Sequence, residues 1–317
     1  MTTLPLRLGI SRCLLGEEVR YDGRHNKDNF LTEVLGRYVE WIPVCPEVEA
    51  GLGIPREPMR LIGDPQNPRL VTIGSKIDHT RALETMAKSR IEKFKQLDLA
   101  GYVFIKTSPS CRVDRVRLYN AHGTPSRKGV GLFARAFMKQ FPLILVEEEG
   151  QLCDPTVREN FIERVFCYRR WQDLLQRGVT KQALVQFHTI HTYLLMAHSP
   201  QQCEVLGRLI GQVHRLRPKE LAPRYGELFM KTLAVKATVR RHVNVLQHIL
   251  GHFKKQLGAH EKAELSGVIG DYRRGHSPLV VPLTLIKHYV RIFDVSYVRE
   301  QVYLNPHPME VMLRNHV

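Results

Sequence analysis

The feature that decides the fold is a short apolar run that passes directly into a turn and a cysteine, Leu6-Arg-Leu-Gly-Ile-Ser-Arg-Cys13. Three similar runs follow before residue 150, and each predicts a strand. They lie at 41–45, 101–105 and 142–146. The helical patterns between them lie at 29–38, 78–96 and 131–140. Because alternating strands and helices are typical of parallel sheets covered by helices, residues 1–150 are expected to form a Rossmann-like α/β domain.

The chain changes character after residue 150, where strand-like runs become rare and long helical patterns dominate. These patterns lie at 157–176, 181–197, 201–217, 219–234, 239–255, 261–273 and 282–295. Asp154 is placed to cap the first of these helices, with Pro155 at its first position. Residues 151–317 are therefore expected to form a second, all-α domain. The stretch 51–74 is rich in proline and glycine and is expected to be an extended loop.

The charge of the chain favours a polyanionic partner. Its 317 residues include 47 Lys and Arg against 31 Asp and Glu, a formal net charge of +16. The first 150 residues hold 23 basic and 18 acidic residues, whereas the remainder holds 24 basic and 13 acidic residues and 12 of the 15 histidines. Nucleic acid is the expected partner, ahead of a membrane surface, and its footprint lies mainly on the helical domain.

Composition excludes several classes of protein. Hydrophobic residues make up 43% of the chain, enough to build cores, so the chain is not disordered. No apolar run approaches the roughly 18 residues of a membrane span, and the first residues lack the features of a signal peptide. A membrane protein and a secreted disulfide scaffold are thus excluded. A cytoplasmic location is expected, where the six cysteines are reduced or bound to metal.

Three cysteines, Cys13, Cys45 and Cys111, lie at or just beyond the ends of three predicted strands. Since the carboxyl ends of parallel strands meet at one edge of a sheet, they are expected to share a pocket. Their turns hold arginines, which favours thiolates. Three thiolates suit zinc with an open fourth position or an iron–sulfur cluster with one iron free of protein ligands. Without local Cys-x-x-Cys spacing, three unrelated apolar residues are an equal alternative. The remaining cysteines are interpreted as packing residues: Cys153, Cys167 and Cys203.

Three separated motifs in this half of the chain resemble the thiouracil desulfidase (TudS) family. They are Gly9-Ile-Ser-Arg-Cys-Leu-Leu-Gly-Glu-Glu-Val-Arg-Tyr-Asp-Gly23, Cys45-Pro-Glu-Val-Glu-Ala-Gly-Leu-Gly-Ile-Pro-Arg56 and Lys106-Thr-Ser-Pro-Ser-Cys111. The likeness covers most of residues 6–148. Segments at 188–200, 241–251 and 272–290 resemble a helical domain that is often found alone or fused behind a TudS domain. That fusion is the architecture of desulfidases that return 4-thiouridine in tRNA to uridine.

The resemblance implies a cofactor and a reaction. The cofactor is a four-iron four-sulfur (4Fe–4S) cluster whose three protein ligands map onto Cys13, Cys45 and Cys111, with the fourth iron open to the sulfur of the substrate. The reaction is a hydrolytic, non-redox removal of sulfur, and a soft thiocarbonyl suits an open iron that acts as a Lewis acid. The basic helical domain is expected to bind tRNA, and no protein partner is predicted.

The resemblance also implies roles for polar residues near the cysteines. Glu47 is the expected general acid/base, and Ser108 the group that orients substrate or water. From the residues alone, Glu47 fits equally a solvated carboxylate or an ion-pair partner of arginine, and Ser108 a turn or helix-cap serine. Ser11, Tyr21 and Asp22 belong to the first motif and are expected either to border the pocket or to form a simple turn.

Two other functions fit the sequence. A desulfidase of free thiouracil or of other thiolated metabolites explains the cysteines but leaves the charge of the helical domain without a purpose. A non-catalytic RNA-binding protein with a structural or redox-responsive metal is the other alternative. Loss of turnover in a Glu47→Ala variant that keeps its cluster would count against it.

Several features of the chain favour structural interpretations over chemical ones. The histidines of the helical domain are expected to pack between helices or to contact RNA, rather than to bind a second metal: His188, His191, His198, His242, His248 and His252. The segments 166–171 and 272–274 interleave aromatic residues with arginines, which suits RNA stacking and phosphate contacts or simply amphipathic helices. The stretch Lys128-Gly-Val-Gly131 is interpreted as an ordinary turn rather than a phosphate cradle.

Overall fold

The structure is a computed structural model that describes residues 6–120 and 122–310. Within these residues the chain divides into two compact units, 6–169 and 170–310. The division falls inside a long helix that begins at Pro155, and the sequence-based boundary after residue 150 precedes this helix. In the described part of the chain no helix has the length and apolar character needed to cross a membrane.

The described part of the first unit contains eight strands in two four-stranded sheets. The strands are β1 (Arg7–Ser11), β2 (Glu40–Val44), β3 (Met59–Asp64), β4 (Asn67–Thr72), β5 (Gly101–Phe104), β6 (Val116–Tyr119), β7 (Pro125–Gly129) and β8 (Leu145–Glu148). The helices of this unit are α1 (Pro46–Glu49), α2 (Thr80–Phe94), α3 (Leu132–Gln140) and the first part of α4 (Pro155–Arg177).

The first sheet is parallel and has the strand order β2-β1-β5-β8. β1 lies at its centre, where Leu8 pairs with Trp41 on one side and with Gly101 on the other. The predicted parallel α/β fold is therefore confirmed. β8 begins at Leu145, three residues later than the apolar run at 142–146 predicted, because the chain turns before it.

Close packing of β1 against β5 depends on a glycine. A Cβ atom at Gly9 would lie 2.1 Å from Cδ2 of Tyr102, so only glycine lets the ring cover the strand. The Tyr102 ring is fully buried and stacks on Phe104 at a centroid distance of 4.0 Å. Phe133 and Phe137 from α3 contact the same pair of rings and complete an aromatic core beneath the sheet.

The second sheet, in the order β4-β3-β6-β7, corrects the prediction of a loop at 51–74. β3 and β4 form an antiparallel hairpin, and β3 also pairs in parallel with β6. The prolines that suggested a loop lie outside or at the ends of these strands; Pro68, for example, is the second residue of β4 and pairs with Gly63. The apolar residues between them, such as Leu61 and Leu70, are buried.

The segment predicted as a helix at 29–38 is helical but not α-helical. A π-helical turn at Phe30–Val34 is followed by a 3-10 turn at Leu35–Arg37. α4 begins as the sequence predicted, because the Asp154 carboxylate accepts hydrogen bonds from the amides of Thr156 and Val157 at 2.8 and 3.3 Å.

The second unit is all helical, as predicted. After the end of α4 its helices are α5 (Lys181–His198), α6 (Pro200–Ile210), α7 (Pro218–Leu233), α8 (Val239–His252), α9 (Ala259–Arg274), α10 (Val280–Phe293) and α11 (Ser296–Arg299). Its core is aromatic, with the rings of Trp171, Phe187, Tyr225 and Phe229 in mutual contact. Gly226 makes room for this cluster, because a Cβ there would lie 2.8 Å from the Trp171 ring.

Several histidines of this unit take part in helix packing, whereas His248 is exposed. His191 is fully buried and donates from Nδ1 to the carbonyl oxygen of Phe187 at 2.7 Å. His198 bonds the carbonyl of Val235, and His252 bonds the hydroxyl of Tyr193. Among the described residues, no three His, Cys, Asp or Glu side chains form a site for a single metal ion.

Candidate functional site

The three cysteines at the strand ends line one cavity of about 230 Å³. Cys13 lies in a 3-10 turn directly after β1, and Cys45 is the residue that precedes α1 at the end of β2. Cys111 lies in the connection between β5 and β6. Because β1, β2 and β5 are adjacent parallel strands, their carboxyl ends bring these distant positions together.

The three thiols are shielded from solvent. All three cysteines are buried. Burial raises the pKa of Cys13 to about 12, and it also raises the pKa of Cys45 and, well above its ordinary value, that of Cys111. The expectation that neighbouring arginines make these groups ready thiolates is therefore wrong for the protein alone. Arg20 lowers the pKa of Cys13, but burial outweighs it.

Glu47 forms one wall of the same cavity and is held on both carboxylate oxygens. Its Oε1 accepts hydrogen bonds from the hydroxyls of Ser108 at 2.8 Å and of Ser110 at 2.6 Å. Its Oε2 accepts two bonds from the guanidinium of Arg56, one of them from Nε at 3.1 Å. Only 7% of Glu47 is exposed, so this is a buried, fully bonded carboxylate rather than a solvated one.

Arg56 and Ser110 are the two members of this network that the sequence did not assign. Arg56 also donates from Nη1 to the carbonyl oxygens of Val19 and Gly53, each at 3.1 Å, which fixes its fork. Ser110 is fully buried and lies 3.8 Å from the sulfur of Cys111. Arg56 belongs to the motif that begins at Cys45, and Ser110 to the motif that ends at Cys111. This position within the motifs is the sequence feature that could have pointed to them.

The loop that carries Ser108 and Cys111 is held by the start of α3. The amides of Phe133 and Ala134 donate to the carbonyl oxygen of Ser110 at 3.0 and 3.3 Å. Gly131 precedes them, and a Cβ there would lie 2.5 Å from the backbone of Ser110. These amides therefore position the loop that carries Ser108 and Cys111. The turn predicted at 128–131 is wrong, because Lys128 and Gly129 are the last residues of β7.

The remaining residues of the first motif have different places. Ser11 lines the cavity, and its hydroxyl accepts a hydrogen bond from the amide of Ile105 at 3.0 Å, which joins the ends of β1 and β5. Tyr21 lines the cavity with 43% of its surface exposed. Asp22 does not line it but bonds Arg20, whose Nη1 reaches the hydroxyl of Thr107.

The other cysteines and the aromatic–arginine segments lie outside this cavity. Cys167 and Cys203 are buried, as expected of packing residues, whereas Cys153 is exposed and corrects that prediction. It lies in a 3-10 turn before α4, away from the buried face of any helix. In the two aromatic–arginine segments the aromatic residues are largely buried: Phe166, Trp171 and Tyr272.

Fold and site together define a class of protein, a parallel α/β domain with a three-cysteine cavity at its strand ends, followed by an all-α unit. Residues 8–149 match the family model described as 2-thiouracil desulfurase, and over these residues the chain belongs to that family. Residues 192–308 match a second family, described as a protein of unknown function (DUF1722).

Individual proteins resemble parts of the chain. The uncharacterized protein YbgA of Escherichia coli K12 is 29% identical over 153 residues, which cover 48% of this chain and 90% of YbgA. The uncharacterized protein YbbK of Bacillus subtilis 168 is 27% identical over 107 residues, which cover 32% of this chain and 70% of YbbK. A solved structure described as the [4Fe-4S]-dependent thiouracil desulfidase TudS is 30% identical, with 47% of this chain and 94% of that chain covered and a TM-score of 0.39.

Proposed function

We propose that this protein is an iron–sulfur-dependent desulfidase that converts 4-thiouridine in tRNA to uridine by hydrolysis. The observation that carries the proposal is the single cavity in which three buried cysteines meet a glutamate bonded to a serine. Membership of the 2-thiouracil desulfurase family supports a thiolated pyrimidine as the reacting group. The 24 basic against 13 acidic residues after residue 150 support a nucleic acid as its carrier.

The donor set of the cavity fits an iron–sulfur cluster. Cys13, Cys45 and Cys111 would hold it, and their thiols make only weak contacts with the protein, such as Cys45 Sγ to the Val19 oxygen at 3.7 Å. In a cluster each of the three cysteines would bind a different iron. When bound, an iron without a protein ligand supplies a Lewis acid with affinity for soft sulfur.

Glu47 and Ser108 supply the proton transfers. Hydrolysis adds water to the ring carbon, breaks the carbon–sulfur bond and leaves a carbonyl and hydrogen sulfide. Both protons of the water must leave its oxygen, and the departing sulfur must gain two, directly or by way of the ring nitrogen. Ser108 lines the cavity and donates to Glu47, so a proton can pass between the cavity and the carboxylate through this hydroxyl. Arg56 keeps the other oxygen of the carboxylate in place.

The shape of the site constrains how a tRNA substrate binds. A base within a helix cannot place its ring in an enclosed cavity, so the thiolated nucleotide must leave its stack. Apolar side chains of the cavity wall, among them Val19, Pro58 and Met59, then exclude water from the ring. The helical unit supplies phosphate contacts, which are independent of the sequence of the RNA and weaken with salt.

The test is desulfuration by the anaerobically prepared, cluster-reconstituted full chain. On addition of tRNA containing 4-thiouridine, we expect the near-ultraviolet absorbance of the thiocarbonyl to disappear and uridine to form. Alanine at Cys13, Cys45 or Cys111 should abolish this, whereas Cys153→Ala, which changes an exposed cysteine outside the cavity, should not. A retained band beside an intact cluster would reject tRNA as substrate, and turnover of free thiouracil would then identify the alternative.

A further inference from the structure

A second cavity, of about 430 Å³, adjoins the one that holds the cysteines. The two cavities share four wall residues, Met59, Thr107, Ser108 and Pro109. We call the second cavity the flanking groove. Because Ser108 lines both, a ligand that places one group beside Glu47 has the flanking groove next to it.

The flanking groove is lined by four cationic residues, Arg60, Lys106, Arg112 and Arg117. Arg112 has a carboxylate nearby, with its Nε 3.6 Å from Glu148. Throughout the described part of the chain, no carboxylate oxygen lies within ion-pair distance of Arg60, Lys106 or Arg117. The charge of Lys106 acts on Glu149, so among the described residues Arg60 and Arg117 are the cations of the groove that an incoming anion would neutralise.

The same groove also contains a flat surface suited to a nucleobase. The guanidinium of Arg60 lies over the ring of Tyr119 at 4.7 Å from its centroid, and its Nε is buried without a hydrogen-bond partner. Ile73 lines the groove too and exposes 44% of its surface. Cations for a phosphate and a planar surface for a base occur together, and that combination is the chemistry of a nucleotide.

We propose that the flanking groove binds the nucleotide next to the reacting one in a single-stranded segment of RNA. Lys106 and Arg117 contact its phosphodiester, and its base stacks on the pair formed by Arg60 and Tyr119. This inference rests on the proposed function and deepens it, because it makes a polynucleotide, rather than a free base or mononucleotide, the substrate class that the first unit itself selects.

The experiment compares Arg117→Ala with Arg81→Ala, which removes the same charge from an exposed position on α2 outside the groove. Both are assayed on 4-thiouridine, on its 5′-monophosphate and on a trinucleotide with 4-thiouridine between two uridines. We expect Arg117→Ala to lower kcat/KM on the trinucleotide roughly tenfold, and to leave the nucleoside and the monophosphate within about twofold of wild type. Arg81→Ala should match wild type on all three.

A second arm does not depend on turnover. Binding of an unthiolated uridine trinucleotide to the full chain should weaken roughly tenfold in Arg60→Lys, which keeps the charge but removes the stacking plane. The slope of the logarithm of the binding constant against the logarithm of the salt concentration should stay the same in Arg60→Lys. In Arg117→Ala this slope should become less steep by about one unit. As a control for folding, each variant should melt at the same temperature as wild type.

Several results would overturn the inference. Equal losses on the nucleoside and the trinucleotide would make Arg117 a part of the reaction site, and an equal loss on the monophosphate would assign the groove to the reacting nucleotide's own phosphate. Unchanged binding of the unthiolated trinucleotide in both variants would show that the flanking groove is not a nucleotide-binding site. If wild type turns over no thiolated pyrimidine while the binding losses appear, the proposed function fails and the groove stands.

Discussion

The two units bury polar side chains in different ways. Around Glu47 in the first unit, buried side chains bond one another, and Arg56, Ser108 and Ser110 all donate to one carboxylate. In the second unit, several buried polar side chains instead bond backbone carbonyls: His191 bonds Phe187, His198 bonds Val235 and Gln301 bonds Thr189. Bonds to backbone carbonyls stabilise the packing of helices. Bonds from several side chains to one carboxylate instead fix its position, as a functional group requires.

The two units also differ in where they place charged side chains. The first unit takes an ion pair out of water at Glu47 and Arg56, whose side chains are 9% and 6% exposed. Such a pair costs desolvation and contributes little to stability by itself, so a positional role explains it better. The second unit also buries one carboxylate, Glu310, against Arg170, but it keeps arginines such as Arg273 and Arg274 exposed at the surface, where they can act on anions.

The largest expected effect tests whether the buried carboxylate is the acid/base. Glu47→Gln keeps the size of the side chain but cannot carry the proton, and we expect kcat to fall by roughly 10²- to 10⁴-fold. The matched control is Glu49→Gln, which lies on the same short helix, pairs with Arg90 and does not line the cavity. Single-turnover desulfuration measures both; equal rates in the two variants would contradict the assignment.

The second prediction concerns stability in acid, to which a buried histidine of the helical unit should contribute strongly. Burial lowers the pKa of His191 to about 3, against an ordinary value of 6.5. Below pH 6.5 the unfolded chain therefore takes up a proton that the folded chain refuses, and the free energy of unfolding should fall by roughly 1.4 kcal/mol per pH unit down to about pH 3. This stability is fully present above pH 6.5.

Urea unfolding followed by circular dichroism checks this dependence. In His191→Leu the free energy of unfolding should fall less steeply between pH 6.5 and 4 than in wild type, although it starts lower because a buried hydrogen bond is lost. His260→Leu removes an exposed histidine and should keep the wild-type slope. An unchanged slope in His191→Leu would show that the ring is charged in the folded unit.

The third prediction tests the positioning of Glu47 by a residue that does not line the cavity. Ser110→Ala removes the 2.6 Å bond to Oε1 but leaves Ser108 and Arg56 in place. We expect kcat to fall roughly tenfold with KM unchanged, because one bond to a charged group is lost. Ser126→Ala, which removes a hydroxyl on β7 bonded to a carbonyl, serves as the control. A raised KM would instead make Ser110 a substrate contact.

The smallest expected effect concerns the surface of the helical unit. The double variant Arg273→Ala, Arg274→Ala should weaken tRNA binding severalfold and make its salt dependence less steep by about two units. Its free energy of unfolding should change by less than about 0.5 kcal/mol, since Arg274 pairs with Asp271 only at the surface. The control, Arg69→Ala with Arg81→Ala, also combines one paired and one unpaired arginine; equal losses of tRNA binding would indicate net charge alone.

The elements that the sequence predicted best are those with a local signal. The strands of the parallel sheet are apolar runs, and the helices of the second unit have clear periodicity, so both followed from the residues alone. The second sheet did not, because β3 gains its neighbour from β6, far along the chain, and its prolines mask the alternation. Pairing over such distances leaves no mark in either strand by itself.

The candidate site shows the same limit. That Cys13, Cys45 and Cys111 lie around one cavity follows from strand order, since each stands at or after the end of a neighbouring strand. The support of Glu47 by Arg56 and Ser110 could not be predicted, because it depends on how two loops fold over the strand ends. Residue types and motif positions pointed to these loops, but only geometry selects the partners.

The connection between β5 and β6 has a consequence for how this protein can change in length. Surface loops usually accept insertions, and the tight turn between β3 and β4 is such a place. From Lys106 to Arg112, however, seven consecutive residues contribute to the flanking groove, the network at Glu47 or the cysteine cavity, and the start of α3 fixes their backbone. One inserted residue there would put all three out of register at once, so this loop is the part of the unit whose length is least free to vary.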